Sequence, residues 1–207
     1  MNEFKKTVFT GFLSVLIFGV IYFTYFLTHQ AEFAKQNQLN ILLSGQKSSA
    51  VLGLDIKSSG CVVRGSLPDQ DCTPGAVFSD ATVEEICVSG YTKTVRNVPV
   101  SLKREVYREY DFAYPPPYGS FEADHLIPLA LGGSNDIANL WPEAADPRPG
   151  FKEKDVVENY LHEEVCGRRI NLGVAQEMIA KNWLLIYENL SPRTIAQIKS
   201  RYKSWAN

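Results

Sequence analysis

From Thr7 to Thr28 the chain reads TVFTGFLSVLIFGVIYFTYFLT, 22 residues without a charged side chain. Nothing else in the sequence constrains the fold as much, because an α-helix of about 20 apolar residues matches the hydrocarbon core of a bilayer. Lys5 and Lys6 precede the run, Glu32 is the first acid after it, and Tyr22 and Tyr25 stand toward its far end. Aromatic residues favour that interfacial position, and lysines favour the cytoplasmic side. The run reads as an uncleaved signal anchor or as a cleaved signal peptide. It exceeds the usual signal h-region of about 7–15 residues and no A-x-A site follows it, which favours the anchor. A buried core helix is disfavoured, since apolar residues surround the helix on all sides. The expectation is an N-terminal transmembrane helix that places everything after residue 30 outside the cytoplasm, periplasmic or at the cell surface. Cleavage would make the protein secreted.

All four cysteines, Cys61, Cys72, Cys87 and Cys166, lie beyond this run, and none forms a C-x-x-C pair. An oxidising compartment permits two disulfides, with three possible pairings. The spacings do not suit a structural zinc site.

The rest divides into a polar stalk over residues 31–60 and a domain over 61–207. Thr82 to Cys87 reads as a short helix or turn. Val100 to Tyr110 has helical spacing, with Ser101 as its cap. The run Tyr114-Pro-Pro-Pro-Tyr118-Gly119 must be a rigid connector. Phe121 to Pro128 reads as a strand, Leu129 to Gly133 leads into a Gly-Gly turn, and Pro142 to Gly150 reads as a loop. Lys152 to Val165 is helical. Two helices follow, one capped by Asn171 with Val174, Met178, Ile179 and Trp183 inward, the other opened by Ser191-Pro192 with Ile195, Ile198, Tyr202 and Trp205 inward. The fold class is α+β.

The formal net charge is −2, and beyond residue 30 there remain 19 basic and 22 acidic residues. Overall attraction to a polyanion is therefore excluded; such a partner must be met by a local basic patch or a metal ion. Lys93, Arg96, Lys103, Arg104 and Arg108 stand upstream of the strand; Arg168, Arg169, Arg193, Lys199, Arg201 and Lys203 stand near the C-terminus. Contacts from such groups to phosphate would be sequence-independent and salt-sensitive.

The chemistry concentrates in FEADHLIPLALGGSNDIANLWPE, residues 121–143. Glu122 and Asp124 share one face of an extended strand and His125 points to the other. The pattern D-H-x-I-P-x-x-x-G-G-x-x-x-x-x-N-L resembles the HNH endonuclease motif, and the longer context resembles an exported bacterial branch of that family. The matching parts are CTPG at Cys72–Gly75, ICVSGY at Ile86–Tyr91, the DH segment, NLWPE at Asn139–Glu143 and KDVVENYLHEEVC at Lys154–Cys166, with a closing AQ…IA…W; together they span roughly residues 67–183.

The resemblance implies a ββα-metal core with additional helices. In it, His125 would be the general base that deprotonates water, a role for which a largely neutral imidazole is suited. Asp124 would coordinate a divalent cation that polarises the scissile phosphate, with Glu122 as a second acidic contact. Asn139 would hold His125 or brace the loop. The family's usual metal ligand early on the helix has no counterpart, since Ala144 to Phe151 is a Pro-rich stretch without His. Asp155, Glu158 (or Asn159) and His162 share one face of the next helix and are the candidates to replace it. Oxygen ligands favour Mg²⁺ or Mn²⁺; adding His162 makes Zn²⁺ or Ni²⁺ suitable. Lys154 and Arg96 are the candidate phosphate contacts. Cys87 and Cys166 flank the catalytic segment inside the family-like blocks and are expected to pair, leaving Cys61 with Cys72 to close a short loop.

The expected function is hydrolysis of phosphodiester bonds outside the cytoplasm, with DNA ahead of RNA. The alternative is a non-catalytic module binding nucleic acid or a cell-envelope partner on an HNH-like scaffold, motivated by the missing helix His.

Overall fold

The computed structural model describes residues 2–44, 53 and 55–202, with residues 2–17 and 40–44 described only as backbone. The architecture is α+β, mostly helical, around one two-stranded antiparallel sheet. In chain order it contains α1 (Asn2–Ser44), α2 (Val83–Ile86), α3 (Tyr91–Val95), α4 (Val100–Glu109), β1 (Phe121–His125), β2 (Leu140–Ala144), α5 (Phe151–Cys166), α6 (Leu172–Asn189) and α7 (Pro192–Arg201).

Strands β1 and β2 pair from Phe121 with Ala144 to His125 with Leu140. Beyond His125 the chain stays extended but the ladder ends, because Asn139 takes over the pairing. Its carbonyl accepts from Leu126 N–H at 2.8 Å and its side-chain oxygen from Ile127 N–H at 2.9 Å. The strand is therefore shorter than the Phe121–Pro128 expected from the sequence. Two short 3₁₀ turns, Leu129–Leu131 and Ile137–Asn139, fill the connection. Gly132 turns it with φ +73°, and a Cβ on Gly133 would lie 1.8 Å from Ile127 O, so only glycine fits there. The stretch Pro142–Gly150 is not all loop: Pro142 lies inside β2, opposite Ala123. A two-stranded sheet is all edge, and a proline on an edge forfeits no ladder bond when its nitrogen faces outward.

Local signals set most helix starts. Thr82 and Glu85 form a capping box on α2, Asn171 accepts from Gly173 N–H on α6, and Ser191 accepts from Thr194 N–H on α7. Helix α4 differs: it starts at Val100 behind Pro99, and the expected cap Ser101 lies within its first turn. Proline's fixed φ opens the helix without a side-chain cap. Helix α5 starts at Phe151, where the Glu153 carboxylate accepts from Gly150 N–H at 3.0 Å. Helix α6 is broken at Asn182 (φ −167°, ψ 85°), whose side chain accepts from Leu185 N–H at 3.0 Å and so caps the second half.

The core brings Leu126, Ile127, Leu131 and Trp141 of the ribbon and its loop against Val157 and Leu161 of α5 and Ile179 and Trp183 of α6, all at most 1% exposed. Leu39 of α1 joins it at 1% exposure, and Lys35 Nζ donates to Glu188 O at 3.2 Å. The predicted polar stalk thus has its helical half packed on α6; residues 45–52 and 54 lie outside the described residues, as do Lys203 and Trp205. Along α1, Phe18, Ile21, Tyr22, Phe23, Tyr25 and Phe26 are exposed. Among the described residues no helix is long and apolar enough to cross a membrane. Residues 7–17 of the predicted span have their side chains outside the described residues.

Two disulfides are present, Cys61–Cys72 and Cys87–Cys166, and all four cysteines are used. This is the pairing expected from the sequence.

Candidate active site in the ribbon–helix cleft

The ribbon, the 3₁₀ turn after it and α5 enclose a cleft of about 530 Å³ whose other wall is the α2–α3 segment from Ile86 to Thr92. Glu122, Asp124, Asp155, Glu158, Asn159, His162 and Arg96 all line it. Strand alternation places Glu122 and Asp124 on this side, and the i, i+3, i+7 spacing places Asp155, Glu158 and His162 on the facing side of α5.

Behind the cleft wall lies Lys154, whose side chain is fully buried. Its Nζ donates to Asp124 Oδ2 at 2.7 Å, to His125 O at 2.7 Å and to Glu158 Oε1, and lies 3.7 Å from Glu143 Oε2. One ammonium thus ties β1, β2 and α5 together. Burial alone would discharge it, but the carboxylates of Asp124, Glu158 and Glu143 outweigh burial and hold it charged. In return Asp124, pushed up by burial, is pulled down to about 2 by Lys154. Glu143, 1% exposed, is held well above the ordinary carboxylate range by burial and by the neighbouring Asp124, which Lys154 only partly offsets. Burial also raises Asp155 to about 7 and Glu158 to about 8. Lys154 was a candidate phosphate contact; with no exposed surface and its donors used internally, it is a counter-ion inside the wall.

His125 is 2% exposed and does not line the cleft. Its Nε2 lies 3.2 Å from Asn135 Oδ1. That oxygen also accepts from Asn97 N–H at 3.1 Å, while Asn135 Nδ2 donates to Val95 O at 2.7 Å, so the amide is fixed. Nε2 must therefore donate, and the lone pair of the neutral ring is on Nδ1. Burial holds His125 below its usual value despite the adjacent Asp124. Asn139 does not touch the imidazole. It is fully buried and donates to Ile127 O and Ser134 O, both at 2.9 Å, so it braces the loop. Asn135 was not singled out in the sequence, where an Asn beside Gly-Gly reads as a turn former.

His162 is turned to the rim. Its Nε2 lies 3.1 Å from Ile86 O and 3.4 Å from Cys166 Sγ. Among the described residues the metal-capable group with donors within 4.8 Å is Cys87, His162 and Cys166, whose sulfurs are joined to each other. Asp124, Asp155, Glu158 and His162 line one cleft, but their donor atoms do not form such a group. The remaining donors, Asp124, Glu122, Asp155 and Glu158, are all carboxylates. Lys154 neutralises the ionised Asp124 among them, and this oxygen donor set fits Mg²⁺ or Mn²⁺ better than softer metals.

The chain has no significant match among protein-family models, curated proteins or solved structures.

Proposed function

We propose that the chain is an HNH-type nuclease on a ββα core, anchored in the membrane by its N-terminal helix with the domain extracytoplasmic. The observation that carries this reading is the pairing at the end of β1: Asp124 faces a carboxylate-lined cleft while its neighbour His125 is a neutral imidazole whose Nε2–H is fixed by Asn135. His125 Nδ1 would accept the proton of the attacking water. Asp124 would be a ligand of a divalent cation, which would supply charge neutralisation at the scissile phosphate, with Glu122 and Asp155 lining the same cleft although these donors do not converge within 4.8 Å. Lys154 holds Asp124 and the His125 carbonyl in place, and Asn139 keeps the loop between the strands in register. The two disulfides and the exposed apolar side chains of residues 18–27 support export and the anchor.

The test is hydrolysis of single- and double-stranded DNA and of RNA by the full chain in mild detergent with Mn²⁺ or Mg²⁺. Wild type should cleave and His125→Ala should not; equal inactivity on every substrate sinks the nuclease reading. Release of the protein from membranes by alkaline carbonate would count against the anchor.

A second reading, a non-catalytic binding module, is favoured by two specific features: His125 is buried, and the Lys154 ammonium already sits between Asp124 and Glu158. Calorimetric titration separates the two. No binding of Mn²⁺ or Mg²⁺, with nucleic-acid affinity retained, supports the module; loss of both points to a structural envelope role.

A further inference from the structure

Next to the cleft lies a second cavity, of about 210 Å³, and the two share Lys152, Asp155, Asn159 and Tyr202. The two cavities therefore adjoin across these side chains. The second cavity is enclosed between the start of α5 and the last turn of α7. Its floor is apolar, with Val156 and Ile198 buried beneath the half-buried ring of Tyr202. Its rim carries Arg148, Lys152 and Lys199, all exposed. None of these three makes a hydrogen bond or ion pair among the described residues, although most other exposed basic side chains of the C-terminal half, Arg168, Arg169, Lys181 and Arg201, are paired with glutamates. Glu153 also borders the cavity, but it is buried and its carboxylate is used on Gly150 N–H.

We infer that this cavity is a subsite for one unstacked nucleotide of a single-stranded nucleic acid, its base against Tyr202 and Ile198 and its phosphates on Arg148, Lys152 and Lys199. The inference rests on the nucleic-acid reading of the adjoining cleft and deepens it. Free cations around an aromatic and aliphatic floor match a nucleotide, which joins an apolar ring face to an anion. The volume is below the roughly 300–1,000 Å³ of sites that enclose a drug-sized ligand, so it takes one ring system. A base within a duplex is stacked on both faces and cannot enter, whereas an unpaired base can lie on a tyrosine. Lys152 and Asp155, shared by both cavities, put the subsite next to the cleft that Asp124 and Arg96 line.

The test measures binding of fluorescein-labelled dT10, U10 and a 10-base-pair duplex to the full chain in mild detergent with EDTA, across a range of salt concentrations. Wild type should bind both single strands more tightly than the duplex. Arg148→Ala with Lys199→Ala should lower the slope of log affinity against log salt by about 1.4, at roughly 0.7 per lost contact to a single strand. Arg193→Ala, outside the subsite, should leave the slope unchanged. Tyr202→Ala should lower affinity about tenfold with the slope kept, the scale of one lost base stack. Tyr202→Phe, which keeps the ring and its packing, should bind like wild type. An unchanged slope in the double variant, a duplex bound as tightly as the single strands, or no binding of either overturns the subsite. Cleavage by wild type with Mn²⁺ is read alongside. Cleavage without these effects leaves the nuclease reading standing and removes the subsite; these effects without cleavage uphold the subsite and remove the nuclease.

Discussion

Lys154 Nζ and Asp124 Oδ2 lie 2.7 Å apart with the lysine side chain fully buried, so β1 is locked to α5 by a charge pair that water does not reach from the lysine side. A buried charge is tolerated only while its partners remain.

Lys154→Met should therefore destabilise the protein by about 3–5 kcal/mol, since Asp124 and Glu158 lose their common partner. Urea unfolding measures this. Adding Asp124→Asn should recover part of the loss, because it removes the charge left stranded without Lys154. A Lys154→Met protein within about 1 kcal/mol of wild type, inside the range of ordinary surface substitutions, would show that the ammonium is dispensable.

Asn135 fixes which imidazole nitrogen of His125 carries the proton. On the nuclease reading, Asn135→Ala should lower kcat about ten- to a hundredfold with KM little changed, less than the roughly 10²–10⁴-fold of a general base itself, because the imidazole is kept and only its orientation is lost. Asn135→Asp should place a carboxylate against Nε2–H, stabilise the imidazolium and move the acid limb of the pH–rate profile to higher pH. A profile that stays in place in Asn135→Asp would assign the base to another group.

Asn139 makes three side-chain hydrogen bonds in a fully buried setting. Asn139→Ala should cost about 2–4 kcal/mol, at about 1 kcal/mol per bond with the penalty of the stranded Ile127 groups added. Asn139→Asp retains the acceptor for Ile127 N–H but faces two carbonyls, and thermal melts should place it no higher than the alanine variant.

Glu109, at 3% exposure on α4, is raised by burial to about 7, an effect that Arg108 opposes. Its unfolded value is near 4.5. Between these the folded chain holds a proton that the unfolded chain has lost, so stability falls as pH rises from about 4.5 to 7 and levels above. Glu109→Gln should flatten that segment and be the more stable protein at pH 8, by on the order of 1 kcal/mol. Parallel wild-type and variant curves through this range would show that Glu109 does not titrate there.

The legible parts of the sequence were those written in local code. Asn171 and Ser191-Pro192 announce helix starts because a cap needs only residues within one turn. Gly132 and Gly133 announce a turn. What stayed hidden depends on partners far along the chain. The fate of Lys154 is set by Asp124 and Glu143, 30 and 11 residues upstream, and without them a lysine on a helix reads as a solvated side chain. Asn135 is set by Val95 and Asn97, some 40 residues away. Pro142 misread as loop because proline's penalty applies to central strands, and the ribbon has none. The break at Asn182 has no local signal, because Trp183 keeps the inward periodicity on the far side of it.

Leu39 is buried in the domain core about 18 Å along the α1 axis from Leu27, at 1.5 Å per residue. With Lys35 also bonded to Glu188, the helix behaves as a mast bolted to the domain, where a leash would leave it free to tumble. Whatever surroundings the apolar stretch from Phe18 to Leu27 adopts, the mast passes on their orientation, so the mouth of the cleft points in a set direction relative to them.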